Sequence, residues 1–435
     1  MELELEFMSQ LLLTMAVLFI FARLGSIIVG RFGLPGLIGE IIIGVVIANI
    51  AIGDWSLLSF LDIKIPGPGE EATDGSHVYT VVKVFAELGV IFLLFSVGLE
   101  TKVKDLLGSG KAALVAAVLG VALPFVAGLA IIMASDGNLN HALFMGAAMV
   151  ATSVGITARI IKDMKLMDTR EARIIIAAAV IDDVLGMIVL AVVNGIAGSG
   201  NISITDIILI TVQAVVFVVA VILICKYVTP RLYHYFRARH DAIINAGKVP
   251  HSSNKLVLAI IVCLLMSVFA ETLGIAAIIG AFLAGMLFAD YSWEWDLEHK
   301  IEYITSFFIP FFFLNVGLQV NISDLADVTV IVLAAVIIVV ALATKYIGCG
   351  FGAKMADKEL DRTGMNIIGV GMMPRGEVGI IVASIGLASG AMSSDLYAVV
   401  VLMSVMTTII APPFLSKLFR KKYAEEYTIL EDDKI

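Results

Sequence analysis

The sequence predicts an all-α polytopic membrane protein of about thirteen transmembrane helices, built from inverted-topology repeats with two broken crossing helices. Three observations carry this reading: the composition, the length of the apolar runs, and a series of segments that recurs in order. The 435 residues are 60% hydrophobic and only 15% charged, whereas an ordinary soluble domain is about 25% charged. A helix needs about 20 apolar residues to cross roughly 30 Å of hydrocarbon, and such runs fill the chain almost end to end. The runs are continuously apolar rather than alternating, so the backbone is satisfied by helices and not by a barrel.

Taken in order, the first run covers 8 to 30 and follows the acidic leader "MELELEF", where a signal peptide needs a basic start and a small-residue cleavage site. It is expected as a span, and Arg31 closes it. Runs 34 to 53 and 78 to 98 flank the Gly/Pro/acid-rich loop 54 to 77. Lys102 and Lys104 precede the runs 111 to 134 and 141 to 162, and Lys162, Lys165 and Arg170 precede 171 to 196. The run 203 to 229 leads into Arg231, Arg237, Arg239 and Lys248, and is expected as a linker helix. Runs 255 to 273 and 274 to 290 end before Lys300, and 302 to 319 and 328 to 353 end before Lys354, Lys358 and Arg362. The runs 366 to 388 and 395 to 419 finish at Lys417, Arg420, Lys421 and Lys422, before a short tail, 420 to 435.

Basic residues thus gather in alternate loops. Because Lys and Arg are retained on the cytoplasmic side, the C-terminus is expected inside and, with an odd number of spans, the N-terminus outside. The net charge of -9 arises from loops and tails, among them "AEEYTILEDDKI", and calls for no nucleic-acid partner. Cys225, Cys263 and Cys349 stand alone in apolar sequence without metal-ligand spacing, and no cofactor is expected.

Segments recur at an offset of seven helices. "FGLPGLIGEIIIGVVIAN" in span two matches "LGIAAIIGAFLAGMLFAD" in span nine, "FLLFSVGLE" matches "PFFFLNVGLQ", and "TSVGITA" matches "GEVGIIVA". Seven is odd, so the copies are inverted. Such repeats are the architecture of many secondary transporters, with the substrate near the midplane at broken helices. Thr152, Ser153, Gly155 and Thr157 favour unwinding in span five, as do Pro374, Gly376 and Gly379 in span twelve.

The apolar run "VIDDVLGMIVLAVV" holds adjacent carboxylates, Asp182 and Asp183. Each costs on the order of 2.5 to 3.5 kcal/mol to insert at mid-membrane, so a partner is required. Lys345 in "ALATKYIGCGFGAKM" lies about 13 Å along a helix from Lys354, too deep to snorkel. Neighbouring helical positions point about 100° apart. One aspartate can therefore pair with Lys345 while the other faces a cavity and takes a proton or cation. Arg375 and Glu377 lie at the second break and either pair with each other or brace the core. Glu40 and Glu87 are expected in structural or dimer-interface roles.

Together, "ATSVGITAR", "VIDDVLG", the lysine of "TKYIGCG", "PRGEVG" and "LFSVGLE" resemble the second cation:proton antiporter family, close to its NapA-type sodium/proton antiporters. The resemblance covers nearly the whole chain. It implies an NhaA/NapA-like antiporter fold in a homodimer, with 1–110 and 255–320 as dimer or scaffold helices. Helices within 111–196 and 325–419 would form the moving core. It further implies that Asp183 binds cation and proton in turn, that Lys345 opposes Asp182, and that Thr152 and Ser153 line the site. No resident metal is implied beyond the transported monovalent cation. The implied location is a prokaryotic plasma membrane.

Three other functions compete with sodium/proton exchange. A potassium/proton antiporter would differ in cavity size and ligand number, and a cation efflux channel would need rings of carbonyls or acids. An intramembrane aspartyl protease would need aspartates on two facing helices, and here they are adjacent on one.

Overall fold

The structure is a computed structural model. It describes residues 2–32, 34–52, 55–65, 76–101, 110–199, eight residues between 212 and 227, and 253–273, 276–292, 295–320 and 328–424. In chain order the principal helices are α1 (Glu2–Gly30), α2 (Gly36–Asn49), α3 (His77–Leu99), α4 (Gly110–Ser135), α5 (Leu139–Val150), α6 (Val154–Asp163) and α7 (Arg170–Ser199). They continue with α8 (Ser253–Thr272), α9 (Ala277–Phe288), α10 (Leu297–Leu318), α11 (Val328–Lys345), α12 (Arg362–Gly371), α13 (Gly376–Ala388) and α14 (Ser394–Lys422). After Lys345 the rod of α11 runs on through a π turn, Tyr346–Phe351, into Gly352–Ala356. Among the described residues, 8 helical stretches are long and apolar enough to cross a membrane. The chain is a multi-span membrane protein. Of the linker helix expected over 203–229 only those eight residues are described, and the tail beyond Ala424 lies outside the described residues.

Local chemistry sets the helix ends. The Ser76 hydroxyl accepts from the Tyr79 amide at the start of α3, Asn138 accepts from two amides of α5, and Asp361 accepts from Gly364 in α12. Each satisfies donors that a helix start leaves open. Span two is shorter than expected, ending at Asn49 rather than residue 53. Asn49 donates its side-chain amide to the Val45 carbonyl at 2.8 Å and to the Val320 carbonyl at 2.7 Å. The chain then turns into a small antiparallel ribbon pairing Ala51–Ile52 with Trp55–Ser56.

Two groups of helices emerge from the packing. In the first, α3 lies against α9 and α10, and α2 lies against α1 and α10. In the second, α4 lies against α5, α7 and α11, and α14 lies against α11, α12 and α13. Glycine brings the first group into backbone contact. A Cβ on Gly44 would lie 2.9 Å from the Gly317 Cα, and one on Gly98 would lie 2.9 Å from the Gly285 Cα. Only a residue without a side chain permits either approach.

Candidate functional site

The fifth and twelfth runs are each interrupted. Helix α5 stops at Val150 and α6 starts at Val154, with Ala151 out of the helical conformation and Ser153 extended between them. Likewise α12 stops at Gly371 and α13 starts at Gly376. The Ser153 amide donates to the Pro374 carbonyl at 2.8 Å, which joins the two interruptions. The Thr157 hydroxyl donates to the Gly371 carbonyl at 2.6 Å and so closes the end of α12. Proline at 374 has no amide to offer, but its carbonyl is what the joint uses.

Interrupting α5 leaves its terminal carbonyls without intrahelical donors and at the negative end of the helix dipole. Two buried cations fill that place. Arg375 donates one guanidinium nitrogen to the carbonyls of Val150 at 3.2 Å and Ala151 at 3.0 Å, and the other to Ala341 at 3.0 Å. Lys345 donates its ammonium to the carbonyls of Val150 at 2.8 Å and Gly120 at 3.0 Å, and to Asp182 Oδ1 at 2.7 Å. The side chains of Lys345 and Asp182 are 0% and 1% exposed, so this is an ion pair withdrawn from both water and lipid.

Of the residues that the sequence singles out, Asp182, Lys345 and Arg375 thus meet around the end of α5, and Thr152 and Ser153 occupy the break itself. Asp183, the next residue of α7, is half-buried. The second oxygen of Asp182 and the Thr152 hydroxyl are buried without a hydrogen-bond partner among the described residues. Three guanidinium bonds go to main-chain carbonyls, so Arg375 braces the core; the side chain of Glu377 lies outside the described residues. Glu40 is buried within the chain on α2 and feels the charges of Arg159, Asp163 and Arg23, which places it inside the chain rather than on a surface between copies. Glu87 on α3 is exposed. Sequence reasoning missed the joint between Thr157 and Gly371, although Thr157 sits in the same motif as Thr152.

Gly376 is the tightest point. Its φ is +58°, and a Cβ there would lie 2.6 Å from both Cβ and Oγ of Ser153. Left-handed backbone costs a side-chain-bearing residue about 1 to 2 kcal/mol before any clash. Gly376→Ala is expected to lower thermal stability by at least about that amount and to weaken cation affinity by displacing Ser153, as read by melting in detergent and by half-saturation of exchange.

One face of α6 meets the first group of helices. Gly155, Arg159 and Lys162 share it at helical spacing. A Cβ on Gly155 would lie 3.1 Å from Val90 Cγ2 of α3, and Lys162 forms an ion pair with Glu100 at the end of α3. Arg159 also pairs with Asp163 at 2.8 Å, one turn on.

Helices that cross a membrane, with buried charges gathered where two of them are interrupted, define an ion transporter rather than an enzyme. The chain matches the family described as "Sodium/hydrogen exchanger, transmembrane" over residues 16–421, and it belongs to that family. The motifs resemble the second cation:proton antiporter family; the match is to the sodium/hydrogen exchanger family instead, and antiport is common to both.

Its relatives include the "High-affinity Na(+)/H(+) antiporter NhaS3" of Synechocystis sp., which is 35% identical over 96% of this chain and 92% of that protein. The "Na(+)/H(+)-K(+) antiporter GerN" of Bacillus cereus is 32% identical over 97% of this chain and 98% of its own length. The solved sodium proton antiporter MjNhaP1 of Methanocaldococcus jannaschii at pH 8 shares the fold, with a TM-score of 0.59 at 16% identity over 99% of both chains.

Proposed function

We propose that this chain exchanges sodium for protons across a prokaryotic plasma membrane by alternating access, with cation and proton competing for Asp183. The observation that carries the reading is the unequal treatment of two neighbouring carboxylates. Asp182 is buried and holds Lys345 at 2.7 Å, while Asp183, about 100° round the helix, is only half-buried. Thr152 and Ser153 would supply oxygen ligands to a dehydrated cation. An empty anionic site is costly in lipid, so the core moves only when a cation or protons compensate its charge.

The chain would carry thirteen spans in an inverted repeat with two broken crossing helices, N-terminus outside and C-terminus in the cytoplasm. The glycine contacts support the repeat. Exchanging span two with nine, and three with ten, turns the contact of Gly44 with Gly317 into that of Gly285 with Gly98. The first group of helices would then be the scaffold of a homodimer, and the second the moving core. Potassium is a second substrate reading, favoured by the relative GerN, a Na(+)/H(+)-K(+) antiporter.

Exchange in sealed proteoliposomes under an imposed diffusion potential tests the mechanism. If Lys345 gives up its proton when the aspartates are exposed for cation, two protons exchange for one sodium. One net charge per cycle is worth roughly 2.3 kcal/mol per 100 mV. A rate and end point that follow the potential are expected, whereas indifference to it would make exchange electroneutral and leave Lys345 a counter-ion.

Thr152→Val and Ser153→Ala are expected to raise the half-saturating sodium concentration several-fold while altering proton competition less, since a hydroxyl offers lone pairs to a cation. Unchanged sodium half-saturation in both variants would remove the break in span five from the cation site.

A further inference from the structure

Lys345 is the last residue of α11, and the six residues after it, Tyr346–Phe351, form a π turn. A π turn holds more residues per turn than an α-helix and is found mostly as an isolated bulge. It therefore resets which side chains of the rod face inward on either side of it. This one is wedged between two neighbours. On the α12 side, the Tyr346 hydroxyl donates to Asn366 Oδ1 at 2.7 Å, and the missing side chain of Gly369 leaves room for the Tyr346 ring, whose Cδ2 lies 2.7 Å from where a Cβ would stand. On the α4 side, a Cβ on Gly348 would lie 2.6 Å from the Leu119 carbonyl oxygen and 3.1 Å from the Gly120 nitrogen.

The same wedge fixes the lysine stem. The position that a Cβ on Gly120 would take is filled by the sulfur of Cys349, and the next neighbours of that position are Lys345 Cδ and Cε, both at 3.8 Å. The Gly120 carbonyl is in turn one of the three acceptors of the ammonium. Cys349, fully buried four residues after Lys345, thus meets the α4 backbone at the same glycine as the lysine stem.

We propose that Gly120 and Cys349, brought together by the π turn, are positioning residues for Lys345: they fix the depth at which its ammonium spans the Val150 carbonyl and Asp182. The proposal rests on Lys345 being the charge-compensating, proton-carrying group. It adds that the lysine is aimed by a sulfur and a bare backbone that never meet the cation.

The test moves one heavy atom from one helix to the other. Gly120→Ala places a methyl on the Cys349 sulfur and must displace the turn or the lysine stem. The double variant Gly120→Ala/Cys349→Ala removes the sulfur and sets the new methyl in its place, a volume-conserving exchange. The readouts are the pH dependence of sodium-driven exchange in proteoliposomes and the pH dependence of sodium-induced thermal stabilisation in detergent, which needs no transport. Weakening one hydrogen bond to the ammonium is expected to shift the pH midpoint by about half a unit to one unit in Gly120→Ala. The double variant is expected to return it to the wild-type position.

Should Gly120→Ala fail to fold, Cys349→Ala alone, which overpacks nothing, is expected to shift the midpoint by loosening the stem. Acting through the lysine also means that Gly120→Ala adds no further shift in a Lys345→Gln background. A wild-type midpoint in Gly120→Ala, or in Cys349→Ala if that variant stands in for it, overturns the positioning role when Lys345→Gln is itself shifted. So does a midpoint that the double variant leaves displaced. A wild-type midpoint in Lys345→Gln instead overturns the reading of the lysine on which the proposal stands.

Discussion

Asp183→Asn is expected to give a folded protein that exchanges no sodium. The amide is nearly isosteric with the carboxylate and Asp183 is only half-buried, so packing changes little. What is lost is a group that can be neutralised either by a proton or by a cation, and without that choice no gradient is coupled to the other. The loss should be complete within detection in proteoliposomes, with melting in detergent close to wild type. Robust exchange by this variant would falsify the assignment of Asp183 as the shared site, whatever the behaviour of its neighbour.

Asp182→Asn is expected to do the reverse, removing stability before it removes cation binding. Its carboxylate is the only acidic partner of Lys345 among the described residues, and both side chains are buried. Taking away one member of a buried pair leaves the other charge uncompensated, which commonly costs about 3 to 5 kcal/mol. The Gly120 and Val150 carbonyls still accept from the ammonium, but they carry no net charge to balance it. Removing both members should therefore be milder, so the double variant Asp182→Asn/Lys345→Gln is expected to melt above Asp182→Asn. Equal melting of wild type and Asp182→Asn in detergent would show that the pair contributes nothing to stability.

The class of fold was open in the sequence because hydrocarbon is an unforgiving solvent. Long apolar runs have few interpretations there, and a charge within one stands out, which is how Asp182, Asp183, Lys345 and Arg375 came to notice. Proximity of Asp182 to Lys345 follows from the same scarcity, since buried cations and anions have few alternatives to one another. Bracing the core was one of two roles that the sequence left open for Arg375, but the groups it holds were not legible: they are main-chain carbonyls, and every residue has one, so no pattern of side chains points to them. The link from Thr157 to Gly371 was hidden for the same reason. The π turn after Lys345 escaped too, because "YIGCGF" reads as ordinary small-residue packing until its neighbours are in place. Helix ends fall short of the apolar runs where a side chain outcompetes apolarity, as when Asn49 ends α2.

The paired glycines also bear on stiffness. Where Gly44 meets Gly317 and Gly98 meets Gly285, no rotamers lie between the helices to take up a displacement, and sliding one backbone over the other would open a void along both. Those seams resist shear. The face of α6 bearing Gly155, Arg159 and Lys162 meets α3 differently, through a valine side chain and an ion pair on long, flexible stems, and such contacts can be broken and remade at little cost in packing. Among the described residues the glycine seams are therefore the stiffer contacts, and the face of α6 against α3 is the softer one.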